Sequence, residues 1–150
     1  MDYSKFEKLL IASITNALEG CDVDPASEET VIIVSTTKGN ISLLEKDTES
    51  DELHERVALY TSARLVCEYF QNPNTPIVVS NACISGLTAL ITGRRLILSG
   101  RFKHAIVTGA DVISKFVLSG FQSFQAVSDQ PCKPFDKNRN GITLGEAAGT

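Results

Sequence analysis

The sequence predicts an α/β fold, a mostly parallel sheet with helices packed on it, and three observations predict it. First, Thr30 to Ser35 reads "TVIIVS", a continuous β-branched run with no polar alternation; such a run suits a strand covered on both faces. Second, Ile77 to Ser80 and Ala105 to Gly109 are further short apolar runs of strand length. Third, the segments between these runs carry apolar residues at three- and four-residue spacing. Strands separated by helices pair in parallel, because the helix supplies the crossover.

The elements follow in order. Ser4 can cap a helix whose Phe6, Leu9, Leu10, Ala17 and Leu18 recur at helical spacing and which ends at Gly20. After the first strand, Thr36 to Ser50 mixes Thr, Lys, Gly, Asn and acidic residues and reads as a loop. Asp51 to Gln71 resumes the helical period through Leu53, Val57, Tyr60, Ala63, Val66, Cys67 and Phe70 until Asn72-Pro73-Asn74 breaks it. A helix from about Cys83 to Ser99, closed by Gly100, joins the second strand to the third. No internal repeat or low-complexity segment interrupts the pattern.

Composition narrows the function. The chain has 150 residues, 43% hydrophobic and 21% charged, the balance of one globular domain with a packed core. A formal net charge of -4, with the basic residues dispersed, gives no electrostatic footprint for nucleic acid or an anionic membrane. No apolar run approaches the length of a membrane span, and Lys5, Glu7 and Lys8 interrupt any leader-like core, so the chain reads as cytoplasmic. Cys21, Cys67, Cys83 and Cys132 lie far apart with no metal-ligand spacing, so no metal and no cofactor is expected and the thiols should be free.

One of those thiols stands apart. Cys83 falls in "PIVVSNACISGLTALI", where a strand runs into a helix. Open α/β sheets place their ligands at the carboxyl ends of parallel strands. The following helix start would lower the pKa of a cysteine beside it. Ala82, Ser85 and Gly86 leave room for a substrate carbonyl, and the N–H of residue 83 could meet a developing oxyanion. Position alone leaves two readings open, a nucleophile and a buried structural thiol.

Three ordered blocks favour the first. "VSNACISGLTALITGRRLILSGRFKHAIVTGAD", "GFQSFQAVS" and "KPFDKNRNGITLGEAAG" follow one another over the second half of the chain. Together they resemble the β-ketoacyl synthases, condensing enzymes of the thiolase superfamily. The family shows a T-A-C nucleophile turn followed by small residues, a Gly-Gly strand end closed by an acid, a G-F segment ending in Ser, and a P-F-D block running to G-E-G-A-G. The resemblance implies a thiolase-like, mixed but mostly parallel sheet. It makes Cys83 the acyl-accepting nucleophile and puts 36–41 and 120–124 where the family builds its acyl pocket and dimer contacts.

The implied function is that of a 3-oxoacyl-[acyl carrier protein] synthase in fatty acid or polyketide biosynthesis. Its partners would be acyl carrier protein bearing acyl and malonyl thioesters, and a homodimer or hetero-oligomer mate. Asn81, Ile84 and Ala147 depart from the family pattern without removing the nucleophile. The family's two histidine motifs and its lysine do not occur, since His54 and His104 lie in neither context. Residues 1–150 are therefore expected to form a single, incomplete N-terminal domain with a partial fold, exposing apolar edges and catalytically incomplete alone. The alternative is a non-catalytic relative serving dimerisation or carrier-protein binding.

Other features have plainer explanations. "DKNRNGITLGEA" matches a calcium loop at Asp136, Asn138, Asn140 and Gly141 but offers Ala147 where a bidentate carboxylate belongs. A β-turn leading into a strand over Ile142 to Leu144 is expected instead. Arg94, Arg95, Arg101 and Lys103 suit a helix C-terminus by its dipole, with a carrier-protein contact as the alternative. Cys21, Cys67 and Cys132 have no activating turn.

Overall fold

Ser4 starts the first helix through a reciprocal pair of bonds. Its Oγ accepts the Glu7 N–H at 3.2 Å and the Glu7 carboxylate accepts the Ser4 N–H at 2.8 Å, a capping box that opens α1 (Lys5–Leu18). The computed structural model describes residues 2–45 and 50–150. Helix α1 buries Phe6, Leu10, Ile11 and Ile14. Leu9 and Leu18 pack at the margin of that cluster, whereas Ala17 is exposed.

Strand β1 (Thr30–Ser35) is buried at every position, as its unbroken β-branched run requires. It lies between β2 (Ile77–Val79) and β3 (His104–Asp111), parallel to both, with Ile33 level with Ile77 and Val107. A short strand β4 (Ala147–Gly149) adds to β3 antiparallel, giving the order β2-β1-β3-β4. The sheet is mixed but mostly parallel. Alternation along β1 builds two cores: Ile32 and Val34 face α1, while Val31 and Ile33 face the opposite side.

The predicted helix over 51–71 is two helices, α2 (Asp51–Val57) and α3 (Leu59–Tyr69). Ala58, at φ -63° and ψ 130°, ends one and starts the other without a side-chain cap. Ala58 itself does not disfavour helix, since alanine is the best helix former. Tertiary packing makes the break, letting α2 bury Leu53 and aim Arg56 at Glu7 while α3 buries Ala63, Val66 and Cys67. The expected loop after β1 contains a 3-10 turn over Ile41–Glu45, and its residues 46–49 lie outside the described ones.

Helix α4 (Ser85–Leu98) covers the second face. It is expected from Cys83 but starts two residues later, since the turn before it uses those residues otherwise. Close packing on the sheet depends on Gly93, where a Cβ would come 3.2 Å from both Ala105 Cβ and Val107 Cγ2. The other side of α4 leaves Ile84, Leu87, Ile91 and Leu98 exposed, an apolar stripe at helical spacing.

A buried carboxylate ties the helical layer together. Glu7 is wholly buried, and the Arg56 guanidinium grips it at 2.9 and 3.1 Å. Asn40 Nδ2 donates to it at 2.9 Å and Ser62 Oγ at 3.0 Å. Asn40 Oδ1 in turn accepts from Ser4 Oγ at 2.7 Å. Burial pushes the Glu7 carboxyl up, but the combined bonds from Arg56, the Ser4 N–H, Ser62 and Asn40 outweigh it and hold it below the ordinary value.

Three outcomes follow from this packing. Glu7→Ala strands the Arg56 guanidinium and should cost about 3–5 kcal/mol, read as a lower urea midpoint at neutral pH. Because the folded-state value of Glu7 lies below the ordinary 4.5, its stabilisation is complete above that value and is lost as pH falls through the folded value. Urea midpoints measured down that acid limb should fall less steeply in Glu7→Gln than in the parent. Gly93→Val should overpack the contact between helix and sheet and cost about 1–3 kcal/mol, with an unchanged urea slope.

Candidate functional site

Between β2 and α4 the chain makes a tight turn, and Ser85 pins it. The buried Ser85 Oγ accepts the Asn81 N–H at 2.7 Å and donates to the Ala82 carbonyl at 2.7 Å. Ile84 N–H bonds the Asn81 carbonyl at 3.1 Å, and Ser85 N–H bonds that of Ala82 at 3.3 Å. Ala82 adopts φ +45°, a left-handed conformation that a non-glycine residue holds only where its surroundings enforce it. Cys83, the predicted nucleophile, follows Ala82 on this turn and is exposed. It precedes the helix rather than belonging to it, and no side chain caps the helix start at Ile84.

Three elements converge beside it. A Cβ on Gly109 would lie 3.0 Å from the Ser35 carbonyl oxygen, and one on Gly86 would lie 3.9 Å from Ser35 Oγ. The carboxyl ends of β1 and β3 and the start of α4 therefore meet around Ser35. There a cleft of about 960 Å³ opens, lined by Cys83, Thr36, Asp111 and Gly109 among others. Cys83 thus lines a cavity at the strand ends, where a parallel sheet offers its backbone and loops to a ligand.

Helix α5 (Lys115–Ser123) forms the apolar wall, with Phe116 and Phe121, and Phe124 at its end, lining the cleft. Two acceptors satisfy its first turn. Ser114 Oγ takes the Val117 N–H at 3.1 Å, while Glu45 Oε1 takes those of Lys115 at 2.6 Å and Phe116 at 3.3 Å. Polar groups line the same cleft. Thr36 Oγ1 donates to Asp111 Oδ1 at 3.4 Å, and Lys38 Nζ lies 5.5 Å from the Phe116 ring centroid. Burial raises the Asp111 carboxyl, opposed by the Thr36 bond and the Lys38 charge.

Glu146 closes the far end. It pairs with Lys5 and accepts the Ile113 N–H at 2.9 Å, tying the approach to β4 to α1 and to the loop ahead of α5. The Lys5 bond, then the Ile113 N–H, hold its carboxyl below the ordinary value. The turn before it needs glycine at Gly141, whose φ is +130° and where a Cβ would sit 2.7 Å from the Ala126 carbonyl oxygen. The calcium-like side chains serve this turn: Asp136 Oδ1 accepts the Asn138 N–H at 2.6 Å, and Asn140 Oδ1 accepts from Ser128 Oγ at 2.9 Å. The strand expected over Ile142 to Leu144 does not form. Ile142 makes a single bridge to Val127, and pairing with β3 waits until Ala147, where small residues resume.

The remaining candidates lie elsewhere. Cys21 and Cys132 are exposed outside the cleft, and Cys67 is buried in α3, where desolvation, then the charge of Glu68, push its thiol up to about 12. His54 lies on α2 and His104 at the exposed start of β3, neither lining the cleft. Lys103 pairs with Glu29 at 2.7 Å and Arg101 stacks over Phe102, so the basic cluster is partly engaged in local contacts. Sequence reasoning found the sulfur and placed Ser85 beside it and the loop of Lys38 at the pocket, but gave no role to Asp111 or Glu45; Asp111 carried a signal, as the acid closing "TGAD".

Comparisons with known proteins agree with this geometry. The family model described as "Beta-ketoacyl synthase, N-terminal domain" matches residues 1–150. Probable polyketide synthase 7 of Dictyostelium discoideum is 28% identical over 152 residues, covering 95% of this chain and 6% of that protein. A beta-ketoacyl synthase from Burkholderia phymatum superposes with a TM-score of 0.81 at 19% identity, covering 97% of this chain and 40% of its own. A ketosynthase (ApeO), solved in complex with its chain length factor (ApeC) from Xenorhabdus doucetiae, gives a TM-score of 0.79 at 28% identity over 95% of this chain and 39% of that one. The chain thus spans 6% of that polyketide synthase and about two fifths of each solved neighbour. Matched from end to end by the family model, with a thiol on the turn between strand and helix, the chain belongs to the beta-ketoacyl synthase N-terminal domain family.

Proposed function

We propose that Cys83 is the acyl-accepting nucleophile of a 3-oxoacyl-[acyl carrier protein] synthase. The observation that carries this reading is an exposed cysteine that follows Ala82 on a strained turn and lines a cleft at the carboxyl ends of parallel strands. The Cys83 thiolate attacks the carbonyl of an acyl thioester on acyl carrier protein. The tetrahedral oxyanion forms beside the N–H of residue 83, and the carrier's sulfur leaves and takes a proton, so one thioester replaces another. Malonyl carrier protein then loses CO₂, and its carbanion attacks the acyl-enzyme carbonyl. Cys83 departs as the thiolate and the product is a 3-oxoacyl carrier protein.

The described cleft walls suit the first half-reaction. Phe116, Phe121 and Phe124 offer apolar surface to an acyl chain. Decarboxylation calls for donors at the malonyl carboxylate and the thioester oxygen, the part that the family's histidines and lysine play. A second condensing-enzyme chain or further sequence of the same protein suits the apolar stripe of α4. The solved ketosynthase that sits with a chain length factor supports a hetero-oligomer. Residues 1–150 are then one incomplete N-terminal domain of a larger site. The polyketide synthase relative favours polyketide over fatty acid synthesis.

Two measurements test the assignment. Incubation of the full-length protein with hexanoyl-N-acetylcysteamine should add one hexanoyl mass in intact-mass spectrometry, and Cys83→Ala should abolish the adduct. An adduct that persists in that variant sinks the reading. With limiting iodoacetamide at neutral pH, Cys83 should be alkylated before Cys21 and Cys132, with buried Cys67 last; even labelling of the three exposed thiols speaks against a preformed site.

A further inference from the structure

We propose that Ser85 is a positioning residue for acyl transfer, its hydroxyl presetting the N–H of residue 83 that meets the oxyanion. The inference rests on the reading that Cys83 takes the acyl group. The Ala82 carbonyl and the Cys83 N–H belong to one trans peptide unit, which is planar, so the two point in opposite directions and turn only together. Whatever holds the carbonyl therefore aims the N–H. Two groups of one residue hold it, the Ser85 hydroxyl at 2.7 Å and the Ser85 N–H at 3.3 Å. The hydroxyl bond has the usual length of a good O–H···O contact, whereas the N–H bond is long.

The same oxygen accepts the Asn81 N–H at 2.7 Å, so one side chain closes the turn on both sides of Ala82. That residue needs closing. Ala82 holds φ +45° with a Cβ, where glycine would rest without strain, so the conformation persists through the bonds made around it. Ser85 is 5% exposed, and little water reaches its partners to replace the hydroxyl. Without it the carbonyl keeps only the longer bond, and the peptide is free to swing. Acyl transfer feels this at one step. As the Cys83 thiolate bonds to the thioester carbon, the carbonyl's π pair moves onto oxygen, where the N–H must already stand; the pair then returns, the old C–S bond breaks, and the departing thiolate takes a proton from water. A misplacement on the order of 1 Å costs such a step about a hundredfold. Alkylation by iodoacetamide makes no such demand, because sulfur displaces iodide at a saturated carbon and no oxyanion forms.

The test sets these two reactions of one sulfur side by side in the full-length protein. Acylation by hexanoyl-N-acetylcysteamine over a range of concentrations gives a maximal rate and a half-saturating concentration, and iodoacetamide gives the alkylation rate, both read at Cys83 by peptide mass mapping. In Ser85→Ala the maximal acylation rate should fall about tenfold or more, while the half-saturating concentration and the alkylation rate stay near those of the parent. Ser85→Thr, which keeps the hydroxyl, should recover the acylation. Urea midpoints report folding, and Ser85→Gly stands in should the alanine variant fail. Acylation unchanged without the hydroxyl, alkylation that falls in step with acylation, or a threonine variant as slow as the alanine one overturns the proposal. So does loss of the urea transition in both hydroxyl-free variants, which makes Ser85 a folding residue. Failure of the parent to acylate counts instead against Cys83 as nucleophile, and the proposal falls with that reading.

Discussion

Strand β1 is out of water along its whole length, and the cleft is built around where it ends. Burial on both faces forces helices onto either side, α1 and α3 against Ile32 and Val34, α4 against Val31 and Ile33. Parallel pairing with β2 and β3 brings three carboxyl ends to one edge. At Ser35 that edge is tight: a Cβ on Gly109 of the neighbouring strand would sit 3.0 Å from the Ser35 carbonyl oxygen, so a larger residue there needs the strands to give by a few tenths of an ångström. The cavity opens just beyond this contact, and the turn bearing Cys83 is delivered to it by β2.

A second constraint holds the loop over the cleft. The strand-end loop from Thr36 to Asn40 has little regular structure of its own, yet Asn40 is buried and bonded to Glu7, Ser4 and Ser62. Removing a carboxylate from water is costly, and only a bidentate arginine with three further donors offsets it here. That network spans α1, α2, α3 and the loop. A residue on the outer helical layer thereby fixes the backbone from which Thr36 and Lys38 reach the cleft. The Glu146 carboxylate does a similar job at the opposite end, joining α1 to the segment that carries the family's Gly-Glu block.

Much of this was legible beforehand. The β1 run coincides with the observed strand, the Ser4 cap with the observed helix start, and the seam at Cys83 with the turn into α4. Each is a local pattern with a local cause. The breaks were less legible: the division falls at Ala58, itself a good helix former, and Ile142 to Leu144 forgoes pairing with β3 although its residues suit a strand. Both are decided by partners distant in sequence. The helix that became α4 was legible, but which of its faces stays uncovered depends on how Gly93 seats it on the sheet.

By itself the sequence determined the fold class, the family likeness and the sulfur at the strand end, because period, propensity and turn chemistry act over a few residues. Only the tertiary structure decided that Cys83 sits ahead of the helix on a turn stapled by Ser85, and that Glu7 is the buried centre of a charge network. It alone decided, too, that Lys38 and Asp111 line one cleft with Phe116, Phe121 and Phe124, Lys38 resting over the Phe116 ring. Those outcomes depend on side chains tens of residues apart, whose charges and volumes meet only once the sheet has assembled.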